Sequence, residues 1–204
     1  MKSDLDPKNQ DFKLEEFWIT FKLNIKSILE KDDMLEITSL SNKLNELQSL
    51  KLFNQIEENI QNYIEKIGYK FLAKNDYYKA HLLDTTLKRC AKSSYYEIIV
   101  NKGIFNCLFK IYLSFNKNNN QEKEPKIQII NLIKEYSLTK NENLIKQIVL
   151  IAIEKDMYGT LDKLKFIVDL KTFVKSEDIE KFEKNFDIKT RALKYSKLLK
   201  NINI

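Results

Sequence analysis

The 204-residue chain is predicted to be all-α. Three observations carry that prediction. Glycine and proline are scarce, at 3 and 2 residues, whereas a β-sandwich or barrel needs a turn residue about every 8–12 positions. Apolar residues recur at i, i+3, i+4 and i+7 through nearly the whole chain after residue 10, which is the period of an amphipathic helix rather than of a strand. Apolar residues make up 43% and charged residues 31%, so there is enough apolar surface to form a core and the chain is not predicted to be disordered.

The elements follow in order. Residues 1–10 read as a flexible N-terminal tail. Leu14, Phe17, Trp18, Phe21, Ile25, Ile28 and Leu29 then form one helical stripe, broken at Lys31-Asp32-Asp33. Asp33 suits the cap of a second helix with Ile37, Leu40, Leu44 and Leu47 inward. A third places Phe53, Ile56, Ile60, Tyr63, Ile64 and Ile67 on one face, with Gly68 at the expected C′ position. Asn75-Asp76 opens a fourth, whose stripes Ala80, Leu83, Leu87, Cys90 and Leu82, Thr86, Ala91 span an arc wide enough for a central helix. Ser93-Ser94 breaks it, and a short helix with Tyr96, Ile99 and Val100 leads to a turn at Asn101-Lys102-Gly103. Phe105, Leu108, Phe109, Tyr112 and Phe115 mark the next helix, and residues 116–124, without an apolar side chain, read as a loop. Pro125 fits the first position of a helix with Ile129, Ile130, Ile133 and Tyr136 inward. Leu144, Ile148, Ile151 and Ala152 follow, with Gly159 closing that region, and Leu161, Leu164, Ile167 and Val168 continue the pattern. Ser176 caps a short helix with Ile179 and Phe182, and a last helix near 188–200 carries Ile188, Ala192, Tyr195 and Leu199.

This makes about nine or ten helices, with no repeat of fixed length. A chain of helix pairs around one wide-arc helix fits an irregular right-handed α-solenoid better than a bundle. Residues 11–175 read as one helical domain and 176–204 as C-terminal helices, the last one basic.

Composition also excludes function classes. No GxGxxG or GxxxxGK[ST] loop is present to cradle a nucleotide phosphate. One His and two Cys are too few for a structural zinc site, and a Ser-His-Asp or Cys-His centre would rest on His81 alone. No enzyme, cofactor or metal is therefore expected. Cys90 and Cys107 lie in apolar helical patterns and read as reduced core thiols of a cytoplasmic protein. No run of about 18 apolar residues predicts a membrane span, and the N-terminus lacks a signal-peptide core. The net charge of +6 comes almost entirely from Lys, since Arg89 and Arg191 are the only arginines. Such a surface favours anionic partners without choosing among them. Abundant Lys, Asn and Ile also reflect AT-rich coding, so nucleic acid is not expected as a partner.

Ala80-His81-Leu82-Leu83-Asp84-Thr85-Thr86-Leu87-Lys88-Arg89-Cys90-Ala91-Lys92 resembles the central helix of VHS domains, with the pattern A-L-x-L-L-[DE]-x-C-[VM]-K-N-C-G. Leu83, Asp84, Lys88 and Cys90 match, whereas Arg89 and Ala91 replace the usual Asn and Gly. Ile104-Phe105-Asn106-Cys107-Leu108-Phe109-Lys110 is similar to the F-L-N-E-L-I-K helix of the Golgi adaptor subgroup. Lys126-Ile127-Gln128-Ile129-Ile130-Asn131-Leu132-Ile133-Lys134-Glu135-Tyr136 resembles K-I-L-x-L-L-x-x-W, ending in Tyr136 instead of Trp. Asp32-Asp33-Met34 resembles the family's E-D-W, with Met34 in place of Trp. The pieces keep the family's order and spacing over about residues 18–158. Leu83-Asp84-Thr85-Thr86-Leu87-Lys88 and Ile37–Leu44 also resemble RNA polymerase C-terminal-domain-interacting domains, which share the superfold.

The VHS resemblance implies a right-handed superhelix of the ENTH/VHS type and a non-enzymatic adaptor in vesicle trafficking or endosomal sorting. It would bind a protein or an acidic peptide, in the cytoplasm or peripherally on endosome or Golgi membranes. In the adaptor subgroup, basic and amide side chains receive the acids of a dileucine peptide and apolar pockets take the leucines. The matching positions are Asn106, Lys110 and Lys155, and Lys102 lies near the same groove. Gly103 departs from the pattern, standing where a basic residue is usual, and the family's further Lys falls at Phe115 or Asn116. Ubiquitin binding in the endosomal subgroup would rest on Met34, a poorer anchor than Trp. The polymerase-tail resemblance implies a nuclear phosphopeptide reader using Asp84 and Lys88. A third expectation is a structural helical subunit of a larger assembly. Finally, Lys189, Arg191, Lys194, Lys197 and Lys200 make the last helix a candidate for an anionic membrane surface.

Overall fold

The computed structural model describes residues 7–31, 40, 42–45, 53–90, 103–117, 124–173, 184–189 and 191–192. Among them the regular structure is entirely helical, with no strand. The chain divides into two compact units, Met1–Lys102 and Gly103–Ile204. That division falls inside the 11–175 stretch expected to form one domain.

In the first unit, α1 spans Pro7–Lys31, α2 Phe53–Ala73 and α3 Tyr77–Cys90. The helix starts at Pro7, inside the stretch expected to be a flexible tail, because proline's fixed φ and missing N–H suit the first turn. Its periodic stripe is the core face: Phe17, Phe21, Ile25, Ile28 and Leu29 are buried. Leu40 and Leu44, from helical residues between α1 and α2, are also buried. The α2 helix does not stop at Gly68 but runs on to Ala73, burying Leu72. Packing of the last turn outweighs the cost of a helical glycine, about 1 kcal/mol. The end comes at Asn75, whose φ of 53° is left-handed. The Asp76 N–H returns to Phe71 O at 2.9 Å and the Asn75 N–H to Leu72 O at 3.1 Å, a Schellman ending. Asp76 then caps α3, its Oδ1 accepting from the Lys79 N–H at 3.0 Å. Both α1 and α2 pack on α3, where Ala80, Leu83, Thr86, Leu87 and Cys90 are all buried, so the wide arc is a central helix within its unit.

In the second unit, α4 spans Ile104–Asn116, α5 Glu124–Thr139, α6 Glu142–Glu154 and α7 Tyr158–Leu164, followed by a short 3-10 helix at Leu170–Phe173. Helical backbone returns at 184–189 and 191–192. The α4 helix packs on both α5 and α7, and α6 on α5, α7 and the 3-10 helix. Phe105, Leu108, Phe109 and Tyr112 of α4, Ile129 and Ile133 of α5, and Ile148 and Ala152 of α6 form the core, as the periodicity predicts. The last turn of α5 ends at Lys140 (φ 56°), whose N–H bonds Tyr136 O at 2.8 Å.

Other boundaries differ from expectation. The α6 helix ends before Gly159: Asp156 takes φ 51°, its N–H bonds Ile153 O, and the Met157 N–H bonds Ala152 O at 2.8 Å. Gly159 therefore lies in the first turn of α7. Asp and Asn tolerate the left-handed conformation better than most residues, so the turn needs no glycine. The α7 helix stops at Leu164, leaving Ile167 and Val168 in irregular backbone. Helical backbone is already present at 184, before the expected start near 188, and Ile188 and Ala192 are exposed. Residues 91–102 and 174–183, with the short helices expected there, lie outside the described residues.

Candidate functional site

The second unit contains an open cavity of about 770 Å³ where α4 ends, α5 begins and the α6–α7 turn meets the C-terminal helix. Its apolar lining includes Phe115, Met157 and Tyr158, and its cationic lining is Lys126, Lys163 and Lys189, with Asp156 as the acid among the described residues. Each position has a local cause. Phe115 closes the inward stripe of α4, three residues after the fully buried Tyr112. Met157 and Tyr158 are held by the Schellman ending at Asp156, which reverses the chain and presents both at the mouth of α7. Lys163 folds back along α7 so that its Nζ donates to Gly159 O at 2.9 Å.

The lysines and rings meet in pairs. Lys126 Nζ lies 5.9 Å from the Phe115 ring centre and Lys189 Nζ 4.6 Å from that of Tyr158. Such contacts keep an ammonium beside an apolar surface without burying it. The Tyr158 hydroxyl donates to Asp156 Oδ1 at 2.7 Å, and Lys189 Nζ stands 3.9 Å from Asp156 Oδ2. Partial burial and the Asp156 carboxylate push the Tyr158 hydroxyl up to about 12, so it stays a neutral donor throughout the physiological range. Phe186 lies 6.2 Å from Tyr158, so Phe186 and Lys189, one turn apart, both rest on that ring.

The expected site residues fall differently. Asn106 and Lys110 are half-buried on α4. Burial pushes the Cys107 thiol up to about 11, against the lowering attraction of Lys163 and Lys110. Lys155 is exposed at the end of α6 and paired with Glu154 at 2.7 Å. Its hydrogen bond and attraction to Glu154 hold the ammonium above the usual lysine range. Gly103 has φ 100° and ψ −171° with open space around it. Only glycine adopts that conformation without strain. Lys189, expected on a membrane face, is exposed and also lines the cavity. Arg191 lies 3.9 Å from Asp187 on its own helix. Lys102, Met34, Lys194, Lys197 and Lys200 lie outside the described residues.

In the first unit, the buried Asp84 carboxylate forms an i, i+4 ion pair with Lys88 on α3, joining the two residues of the phosphopeptide reading. His81 is exposed and stacks on Tyr77 at 5.7 Å. Trp18 is half-buried, 5.5 Å from Tyr63 and 5.8 Å from Phe21.

Sequence reasoning missed Lys126, Met157, Tyr158 and Lys163 as site residues. The usable signal was Asp156-Met157-Tyr158-Gly159, two large apolar side chains placed in the break between two periodic segments. Among the described residues there is no group of three metal-ligating side chains, and no helix is long and apolar enough to cross a membrane. Comparison with protein-family models, curated proteins and solved structures finds no match.

Proposed function

We propose that this chain is a non-enzymatic peptide-binding module of the VHS type, its helices forming a right-handed solenoid, and that it serves as an adaptor in vesicle trafficking on the cytoplasmic side of endosome or Golgi membranes. The observation that supports this reading is the open cavity with Phe115, Met157 and Tyr158 on its walls and Lys126, Lys163 and Lys189 around it. An acidic segment carrying adjacent leucines fits that chemistry. Its carboxylates meet the ammonium groups in charge-assisted contacts, and its apolar side chains cover the rings. The long contact between Asp156 and Lys189 is partly exposed and contributes little, so a ligand carboxylate replaces it at small cost.

The test is fluorescence anisotropy with a labelled peptide holding a run of Asp and Glu followed by two leucines. Binding should weaken as salt is raised. The double variant Lys126→Glu/Lys163→Glu should weaken it about 100-fold, since two attractions become two repulsions. Equal binding of a control peptide with Asn and Gln in place of the acids overturns the reading.

A further inference from the structure

The α1 helix carries a second apolar face that the described residues of its unit leave exposed. Phe12, Ile19 and Leu23 are 65%, 50% and 60% exposed. At 100° per residue these three fall within about 40° of one another on the helix surface. They lie opposite the stripe of Phe17, Phe21, Ile25 and Ile28 that forms the core. The core does not need them, and three large apolar side chains aligned on one face are not scattered surface residues.

The charges around the stripe point to its occupant. Glu15 and Glu16, both exposed, stand one turn before Ile19. Lys26, also exposed, stands one turn after Leu23. Two copies of this face laid parallel would set acid against acid and base against base. Laid antiparallel about a two-fold axis near residue 21, they bring Ile19 of each copy to Leu23 of the other. The same arrangement sets Glu15 and Glu16 of each copy at the level of Lys26 of the other, at both ends of the seam. Glu30 then falls at the level of Phe12, and the acid beside it, Asp11, lies about 100° off the stripe. Glu30 shares the angle of Phe12 and lies beyond the matched part; between residues 15 and 26 the surface is complementary to itself, which is the requirement for an isologous two-fold contact.

We propose that the Phe12–Ile19–Leu23 face of α1 binds a second copy of this chain in an antiparallel two-fold pair. Sedimentation velocity of the full chain over a concentration series up to about 200 µM reads the dissociation constant. A reversible monomer–dimer equilibrium is expected. Ile19→Glu/Leu23→Glu should raise the dissociation constant at least about 10-fold, with helical circular dichroism and melting unchanged because both positions are exposed. Unfolding of that variant would place the stripe in the core and overturn the proposal. Lys26→Glu alone should weaken pairing about 3- to 10-fold, as should Glu15→Lys/Glu16→Lys, and mixing these two variants should restore it by cross-pairing. A chain that stays monomeric throughout, or charge variants that pair like the wild type alone and mixed, overturns it. None of these measurements depends on the peptide cavity.

Discussion

In the first unit, Phe17, Trp18, Phe21 and Tyr63 form one cluster with ring centres 5.5 to 6.1 Å apart where neighbours meet. Lys22 lies 5.2 Å from the Trp18 ring centre, and the Tyr63 hydroxyl donates to Lys22 O at 3.5 Å. In the second unit Phe115 and Tyr158 also carry lysines, but these rings line an open cavity. The pairing of ammonium and ring is the same, and its consequence depends on what lies behind the ring. Behind Trp18 is the fully packed Phe21, so the lysine closes a core; beside Tyr158 is open volume, so the lysine flanks an open cavity. The Trp18 cluster therefore stabilises the first unit, whereas Phe115 and Tyr158 of the second are partly held back from packing.

The largest effect that sharpens this contrast is on stability. Phe21→Ala should cost about 3–5 kcal/mol in urea unfolding followed by the fluorescence of Trp18, the single tryptophan of the chain. Phe115→Ala should cost about 1 kcal/mol or less, yet weaken the acidic peptide about 10-fold. Equal stability losses at the two positions would break the distinction between core ring and cavity ring.

The two thiols offer a test in which both units should behave alike. Burial pushes Cys90 up to about 12 and Cys107 up to about 11, from an ordinary value of 9.0. Between those values the folded state holds protons that the unfolded state releases. The stabilisation is complete below pH 9 and lost as the pH rises towards the folded values. By pH 10 the loss should be about 1 kcal/mol per thiol. A Cys90→Ala/Cys107→Ala variant should show a flatter decline between pH 8.5 and 10 in the same unfolding assay.

Two smaller effects run in opposite directions. Asn141 caps α6, its side-chain oxygen accepting from the Asn143 N–H at 3.1 Å. Asn141→Ala should lower the midpoint of thermal unfolding, at a cost of about 1 kcal/mol. Among the described residues, Thr86 in the first unit has its Oγ1 buried without a hydrogen-bond partner. Thr86→Val keeps the shape and removes a desolvated hydroxyl, so it should stabilise by up to about 1 kcal/mol. A loss of stability there would show that the hydroxyl is satisfied.

Helix interiors were legible in the sequence because burial follows a local period: Phe21, Ile60, Leu83, Phe109, Ile133 and Ile148 all lie where a 3.6-residue repeat puts them. Ends are less legible where glycine is the expected marker. Gly68 and Gly159 sit inside helices, and the breaks fall at Asn75, Lys140 and Asp156. Ending a helix requires one left-handed residue and carbonyls that find donors, and several polar residues meet that requirement. The candidate site was least legible. Asn106, Lys110 and Lys155 follow from motif order, whereas Lys126, Tyr158, Lys163 and Lys189 come from three separate segments.

By itself, the sequence determined that this protein is helical and which face of each helix is apolar, because both depend on spacing within a few residues. Only the tertiary structure decided where that apolar surface is left open. A cavity is the volume that packing fails to fill, and it depends on residues far apart in the chain. Lys189 shows the difference. Spacing marked it as one of five cations on a basic helix, and the packing of Phe186 on Tyr158 set it beside an aromatic ring.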